Sequence, residues 1–522
     1  MKIFEKIKNQ LTNENLVVLM MSVVIVQPIF DIDYLLYPIL NKIGVPLPST
    51  FLYFIGLPVL VILSFMIKEK NKRKTVLFGG LYLGLVIAYS VVHHLFVKDM
   101  FEQLYLTNRY IYTFGTEIRY ILTLIIPFGL VYAFYRTELN TNSIKKIVLT
   151  SSALISIPIF LSNLFLFGPA TYYDGPTLAN FPTWFFGIYE THHPKTLTTK
   201  FFFSEGNTTG IILFSLYPLL IRQLFTEKKR WLTLTLIVIQ GWAMYVLATR
   251  VATYGVPLMI AAVVFVYLFL VVLKKERFDW KPLVMLVVVF SIFFASLPLT
   301  PAVKNLEIDN RNDLAVFEND ENRKAWKDEI DNIELIPGTA EFNYYYQHIF
   351  EVYYWLLTIP DVYYKWYYPY VIDPKFYVDL IFEYEFWERK SGRQFQQIFF
   401  DYKWDKLTDT QKLFGFGYSR FMMGSILIEQ DFVMQKFTLG YLGVALLNFP
   451  WIGILIYMLY LAIRKIKAAC NFDLITLAIA IIAIMGGAYL SGHVLDQFFS
   501  STYLALFVGT ALYQLKHIDK EA

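Results

Sequence analysis

Cysteine is nearly absent, with Cys470 alone among 522 residues. One thiol closes no internal disulfide, which excludes a stapled secreted scaffold. Charge is also scarce, at 17% Asp, Glu, Lys and Arg, where soluble domains carry about 25%. The signs nearly cancel, 46 basic against 42 acidic residues for +4, so no basic field marks a nucleic-acid binder. A Walker-type phosphate loop, paired CxxC and HExxH are missing as well. ATP hydrolysis, structural zinc and zinc proteolysis therefore have no basis here. No internal repeat supports the inverted halves common among transporters.

What fills the chain instead is apolar residue, 56% of the total at a mean hydropathy of +0.47. That composition excludes disorder and a coiled coil and predicts an all-α polytopic membrane bundle. A spanning helix needs about 20 mostly apolar residues. Windows that satisfy this lie near 16–34, 49–67, 75–97, 118–135, 147–168, 207–225, 231–249, 253–273, 282–300, 438–463, 474–490 and 498–515. Twelve spans are expected, with the first interrupted by Gln27 and Pro28. Lys2, Glu5, Lys6 and Lys8 precede that first run without a small-residue cleavage site, so an uncleaved span is expected rather than a secretion signal. Placing both termini in the cytoplasm puts 24 Lys and Arg in inner segments against 7 in the short outer ones, the asymmetry of a plasma-membrane protein. Cys470 then falls in a cytoplasmic loop.

The resulting division is 1–300, an N-terminal bundle of about nine spans; 301–433, a large extracytoplasmic loop; and 434–522, about three further spans. The loop holds 23 of the 42 acidic residues, which makes it solvated. It is also rich in aromatics, as in Tyr344-Tyr345-Tyr346, Trp366-Tyr367-Tyr368 and Phe386-Trp387. Helical spacing broken at Pro360, Pro369 and Pro374 predicts amphipathic helices on the membrane surface. Two readings of the aromatics stand together: an interfacial belt and a platform for the C–H faces of sugar rings.

Charge at a membrane boundary is costly, so arginines at the outer ends of spans are candidate functional residues. Arg250 lies in a tight hairpin, Leu247-Ala248-Thr249-Arg250-Val251, with no acidic neighbour in sequence. Arg119 opens the fourth span beside Glu117, where an ion pair or snorkelling is the plain alternative. A guanidinium fork suits a lipid-linked diphosphate, since it donates to two phosphate oxygens and stays charged. A base for an acceptor hydroxyl would be a His or a carboxylate of raised pKa; the candidates are His192, His193, Glu205, His348, His493 and Asp496. His93 and His94 lie within the third span, where packing or an interhelical hydrogen bond is expected. Asp31-Ile32-Asp33 reads first as a helix stop and second as metal or base chemistry.

The pattern resembles the O-antigen ligase and polymerase superfamily of bacterial cell-envelope assembly. Ser204-Glu205-Gly206-Asn207 resembles the Asn-containing start of its middle span, and Ala248-Thr249-Arg250 its Ser-Arg hairpin. Ser391-Gly392-Arg393 looks like its Gly-Arg step within the large loop, with Phe414-Gly415-Phe416-Gly417-Tyr418 as the following Gly-x-Gly. Glu429 then precedes Gly440 and Gly443, also as in the family. The resemblance implies a membrane C-type glycosyltransferase, independent of metal and of nucleotide sugar. It would move a glycan from undecaprenyl diphosphate, with flippase and chain-length regulator proteins as candidate partners. On it, Arg250 would hold the diphosphate and Arg393 would touch substrate or order the loop. Placement on the outer side adds Arg119 to the diphosphate, Glu205 and His193 as further catalytic candidates, and Asn207, Arg420, His348 and His493 as substrate-binding candidates. Family ligases carry a glycine eleven residues after a histidine, where His348 has Ile359; this tilts the expectation to a polymerase. A ligase and a lipid-linked glycan transporter remain the alternatives.

Overall fold

The computed structural model describes residues 13–66, 72–104, 112–171, 175–317, 320–331, 335–357, 359–389, 392–418, 426 and 428–518. These are helices and connecting loops, as the composition predicts. The long helices are α1 (Asn13–Phe30), α2 (Asp33–Lys42), α3 (Pro48–Met66), α4 (Lys72–Leu104), α5 (Phe114–Arg136) and α6 (Thr141–Leu164). Then follow α7 (Gly206–Leu224), α8 (Arg230–Leu247), α9 (Arg250–Val272) and α10 (Trp280–Ser296). Among the described residues ten helices are individually long and apolar enough to cross a membrane, or eleven if α1 and α2, bent by 84°, form one span. Twelve were expected. The main departure is α7, which begins Gly-Asn-Thr-Thr-Gly and ends near Arg222 and Gln223. Nearly all of it is buried by other helices, so it needs no apolar surface against lipid.

The contacts group the chain into two compact units, which differ from the linear three-part division. The first comprises 1–82, 121–305 and 447–522. Here α7 is the central post, packed against α6, α8, α9 and two C-terminal helices, α19 (Phe472–Leu490) and α20 (Phe498–His517). The helices start where capping side chains satisfy their first free amides. Asn140 accepts from Ser143 N at 2.8 Å, Thr249 from Ala252 N at 3.2 Å and Asn471 from Leu474 N at 2.9 Å. At Gly210 a Cβ would lie 2.7 Å from Thr249 Oγ1, so α7 and the start of α9 touch without an intervening side chain.

The second unit comprises 83–120 and 306–446. Its helices include α11 (Pro301–Phe317), α12 (Asp320–Asp331), α13 (Ala340–Tyr353), α14 (Pro374–Phe382), α15 (Phe386–Arg389), α16 (Gly392–Trp404) and α17 (Asp409–Phe414). The start of α18 (Asp431–Arg464) completes it. Pro374 opens α14, with Asp373 as its cap, as the breaks at proline suggested. Many of the aromatics form neither belt nor platform. Phe350, Tyr377, Phe395 and Phe399 are at most 2% exposed and pack on one another as a core. Each buried ring of this size contributes about 1.5–3 kcal/mol. Tyr344, Trp366 and Trp387 stay exposed and are open to either surface role. Lys403 is sealed inside this core, its ammonium 2.5 Å from Tyr368 Oη and 4.2 Å from that ring's centroid. Burial pushes its pKa down to about 8, and the neighbouring Lys406 adds to the fall.

Candidate functional site

Chain direction and short connections bring the same end of the first unit together from five elements. They are the end of α1, the loop before α7, the α8–α9 hairpin, the turn after α19 and the start of α20. At this end Ser204 donates its N–H, at 3.2 Å, and its hydroxyl, at 3.3 Å, to Asp31 Oδ2. Asp31 is therefore more than a helix stop: it ties α1 to the loop that carries Glu205.

Glu205 precedes α7 with its backbone extended, at φ −127° and ψ 120°. Thr208 Oγ1 lies 3.1 Å from Glu205 Oε2 and 3.0 Å from the carbonyl of His493. Gln497 Nε2 is 3.5 Å from Glu205 Oε1. Burial raises the Glu205 carboxyl, and Asp496 adds to this; His493, Thr208 and Lys200 oppose it. His493 takes the left-handed conformation, φ +55°, and its Nδ1 is 3.1 Å from Asp496 Oδ2. The other Asp496 oxygen is buried without a hydrogen-bond partner, as is Gln27 Oε1 on α1.

Arg250 is exposed on the first turn of α9. Ala248 at φ +55° ends α8 and Thr249 caps α9, which makes the hairpin as tight as the sequence implied. The Gly210–Thr249 contact sets this turn against the second turn of α7. Asn207 lies half-buried on the first turn of α7. His193 has a structural task, its Nδ1 accepting from Lys195 N at 3.3 Å to cap a short 3-10 turn.

The remaining candidates lie in the second unit. Glu117 is buried, its Oε2 3.3 Å from His93 Nε2 and accepting the Tyr418 N–H at 2.9 Å. His93 thus makes the interhelical hydrogen bond expected of it. His94 bonds Tyr112 Oη at 2.7 Å. Arg119 is exposed on the first turns of α5. Arg393 gives two N–H groups to Glu429 Oε2, one at 2.7 Å, so the Gly-Arg step anchors α16 to the segment before α18. His348 is exposed on α13. Arg420 and Ser391 lie outside the described residues.

The Gly-x-Gly segment has a backbone function that composition could not show. At Gly440 (φ 67°, ψ −179°) helix α18 is broken, which strips the preceding carbonyls of their helical partners. Phe416 N donates to Phe437 O at 2.7 Å, Gly417 N to Thr438 O at 2.9 Å, and Tyr89 Oη to Leu439 O at 2.5 Å. All three stranded acceptors are satisfied. Tyr418 then stacks on Tyr120 with centroids 3.6 Å apart.

Neither a curated protein nor a solved structure matches the chain. The family model described as O-antigen ligase like membrane protein matches residues 13–518, nearly the whole length. With its bundle of apolar helices and its polar helix-end site, the chain belongs to the O-antigen ligase-like membrane protein family, whose members are membrane enzymes acting on lipid-linked glycans.

Proposed function

We propose that this protein polymerises undecaprenyl-diphosphate-linked oligosaccharide repeat units into a surface polysaccharide at the outer face of a bacterial plasma membrane. Both termini would be cytoplasmic, as the asymmetry of basic residues supports. The observation that carries the reading is the convergence, at one end of the first unit, of half-buried Glu205, the His493–Asp496 pair and the helix end bearing Arg250.

In the proposed reaction the acceptor hydroxyl gives its proton to Glu205 as its oxygen bonds to the anomeric carbon. The bond from that carbon to the diphosphate oxygen breaks, and its electron pair leaves on the diphosphate. Arg250 neutralises the charge that develops there, a contribution of several kcal/mol in comparable sites. The raised pKa of Glu205 makes it a stronger base than an exposed carboxylate. The reaction as proposed uses no metal, since a guanidinium takes the place of a Lewis acid.

The test is turnover of defined undecaprenyl-diphosphate repeat units by the purified protein. Wild type should yield a ladder of lipid-linked chains, whereas Arg250→Ala and Glu205→Gln should leave single units at unchanged expression. Long chains from both variants would overturn the assignment. The family description favours one alternative, transfer of finished glycan to another acceptor. Loss of that activity in cells would accumulate long lipid-linked chains rather than single units.

A further inference from the structure

We infer that the opposite end of the first unit holds a second binding site, for a hydroxylated phosphate ester such as the glycerophosphate headgroup of an anionic phospholipid. This goes beyond the proposed reaction and does not depend on it. A cavity of about 180 Å³ opens where the start of α6, the end of α7, the start of α19 and the end of α20 converge. At about 30 Å³ per liquid water it has room for roughly six waters, enough for such a headgroup.

Three independent features set its chemistry. The first is the start of α6, Thr141-Asn142-Ser143-Ile144-Lys145-Lys146. Its first turn holds no acid, and two lysines follow at once, so like charge is placed on the positive end of a helix. Such an end is completed by an anion. The second is Arg222, which lines the cavity beside Lys145 and stands 3.1 Å from Asp473. Glu227, outside the lining, pairs with Lys145. The third is Gln223. It is 6% exposed and lines the cavity, and its Oε1 has no hydrogen-bond partner. That oxygen requires a donor. A phosphate dianion offers none, whereas a glycerol hydroxyl does, so the two needs together select a polyol phosphate. Exposed Lys146, Lys228 and Lys229 at this end would draw an anionic bilayer surface to the opening.

The test titrates delipidated full-length protein in detergent with dioleoyl phosphatidylglycerol, dioleoyl phosphatidylcholine and soluble glycerol 3-phosphate, read by native mass spectrometry. Wild type should bind the phosphatidylglycerol at least tenfold more tightly than the phosphatidylcholine. Gln223→Leu, which removes the acceptor, should cut that preference to about twofold or less. Asn142→Trp, at the exposed rim, should do the same by filling the opening, and it carries the test should the buried variant fail to fold. Site-dependent binding of glycerol 3-phosphate at comparable strength would support the site with a soluble source; its absence beside phosphatidylglycerol binding would support the lipid. Equal binding of both lipids without glycerol 3-phosphate binding, or an unchanged preference in both variants, would overturn the inference.

Discussion

Gly415→Ala should be far more damaging than its single added methyl suggests. Gly415 sits at φ 75°, ψ −166°, a region that residues with a side chain scarcely enter. Occupying it costs a non-glycine residue about 1–3 kcal/mol. The new Cβ would also lie 2.5 Å from both Gly440 N and Phe437 O. Those are backbone atoms on the break of α18, so no rotamer change relieves the contact. Separation would lengthen the Phe416–Phe437 and Gly417–Thr438 hydrogen bonds, each worth about 0.5–1.5 kcal/mol. Taken together, the local penalty is roughly 2–6 kcal/mol. Hydrogen exchange of the Phe416 and Gly417 amides reports this opening directly. Every 1.4 kcal/mol is tenfold, so exchange should accelerate about 30-fold or more. Gly392→Ala is the matched control, because its Cβ would meet nothing nearer than Tyr363 Oη at 3.7 Å. Protection in Gly415→Ala equal to that of the control would refute the claim that these glycines hold the broken helix.

Two further outcomes follow from carboxylates that accept backbone N–H groups. Asp31 Oδ2 takes both the N–H and the hydroxyl of Ser204, so Asp31→Ala should loosen the loop that carries Glu205. The two lost hydrogen bonds should cost about 1–3 kcal/mol in thermal melts. Asp31→Asn keeps an acceptor and should recover most of that loss, and equal melting of the two variants would show that acceptance by Asp31 is not what matters. Glu117→Ala should destabilise the second unit by about 2–5 kcal/mol, since it leaves the Tyr418 N–H and buried His93 without their acceptor. Glu117→Gln keeps an acceptor and should recover most of the loss, and equal melting of the two variants would show that acceptance by Glu117 is not what matters.

Hydropathy alone was enough to reveal the membrane bundle, because a lipid-facing helix must be apolar along its length. α7, expected at 207–225 and found at Gly206–Leu224, falls short of that standard. A helix enclosed by other helices is chosen for fit rather than for transfer into lipid, and its Gly, Thr and Gln residues carry the close contacts and hydrogen bonds of the interior. The loop aromatics mislead in the reverse sense. Their number suggests a surface role, yet a segment short of aliphatic residues uses them to build its core.

At the candidate site, the residues legible in sequence were those whose chemistry is unusual where they stand. Arg250 in a hairpin without acidic neighbours and Glu205 before a glycine are of that kind. What linear reading could not reach was the partner of each, because Asp31 meets Ser204 across 173 positions and Gln497 meets Glu205 across 292. Asp31 was the instructive case. Its position at the end of an apolar run explains it fully as a stop, and only the pairing with Ser204 shows that the same carboxylate also holds the Glu205 loop. The Gly-x-Gly segment repeats the lesson in backbone terms. Its glycines were visible, but their necessity follows from Gly440, which breaks a helix and leaves three carbonyls that only a close-approaching chain and one tyrosine reach.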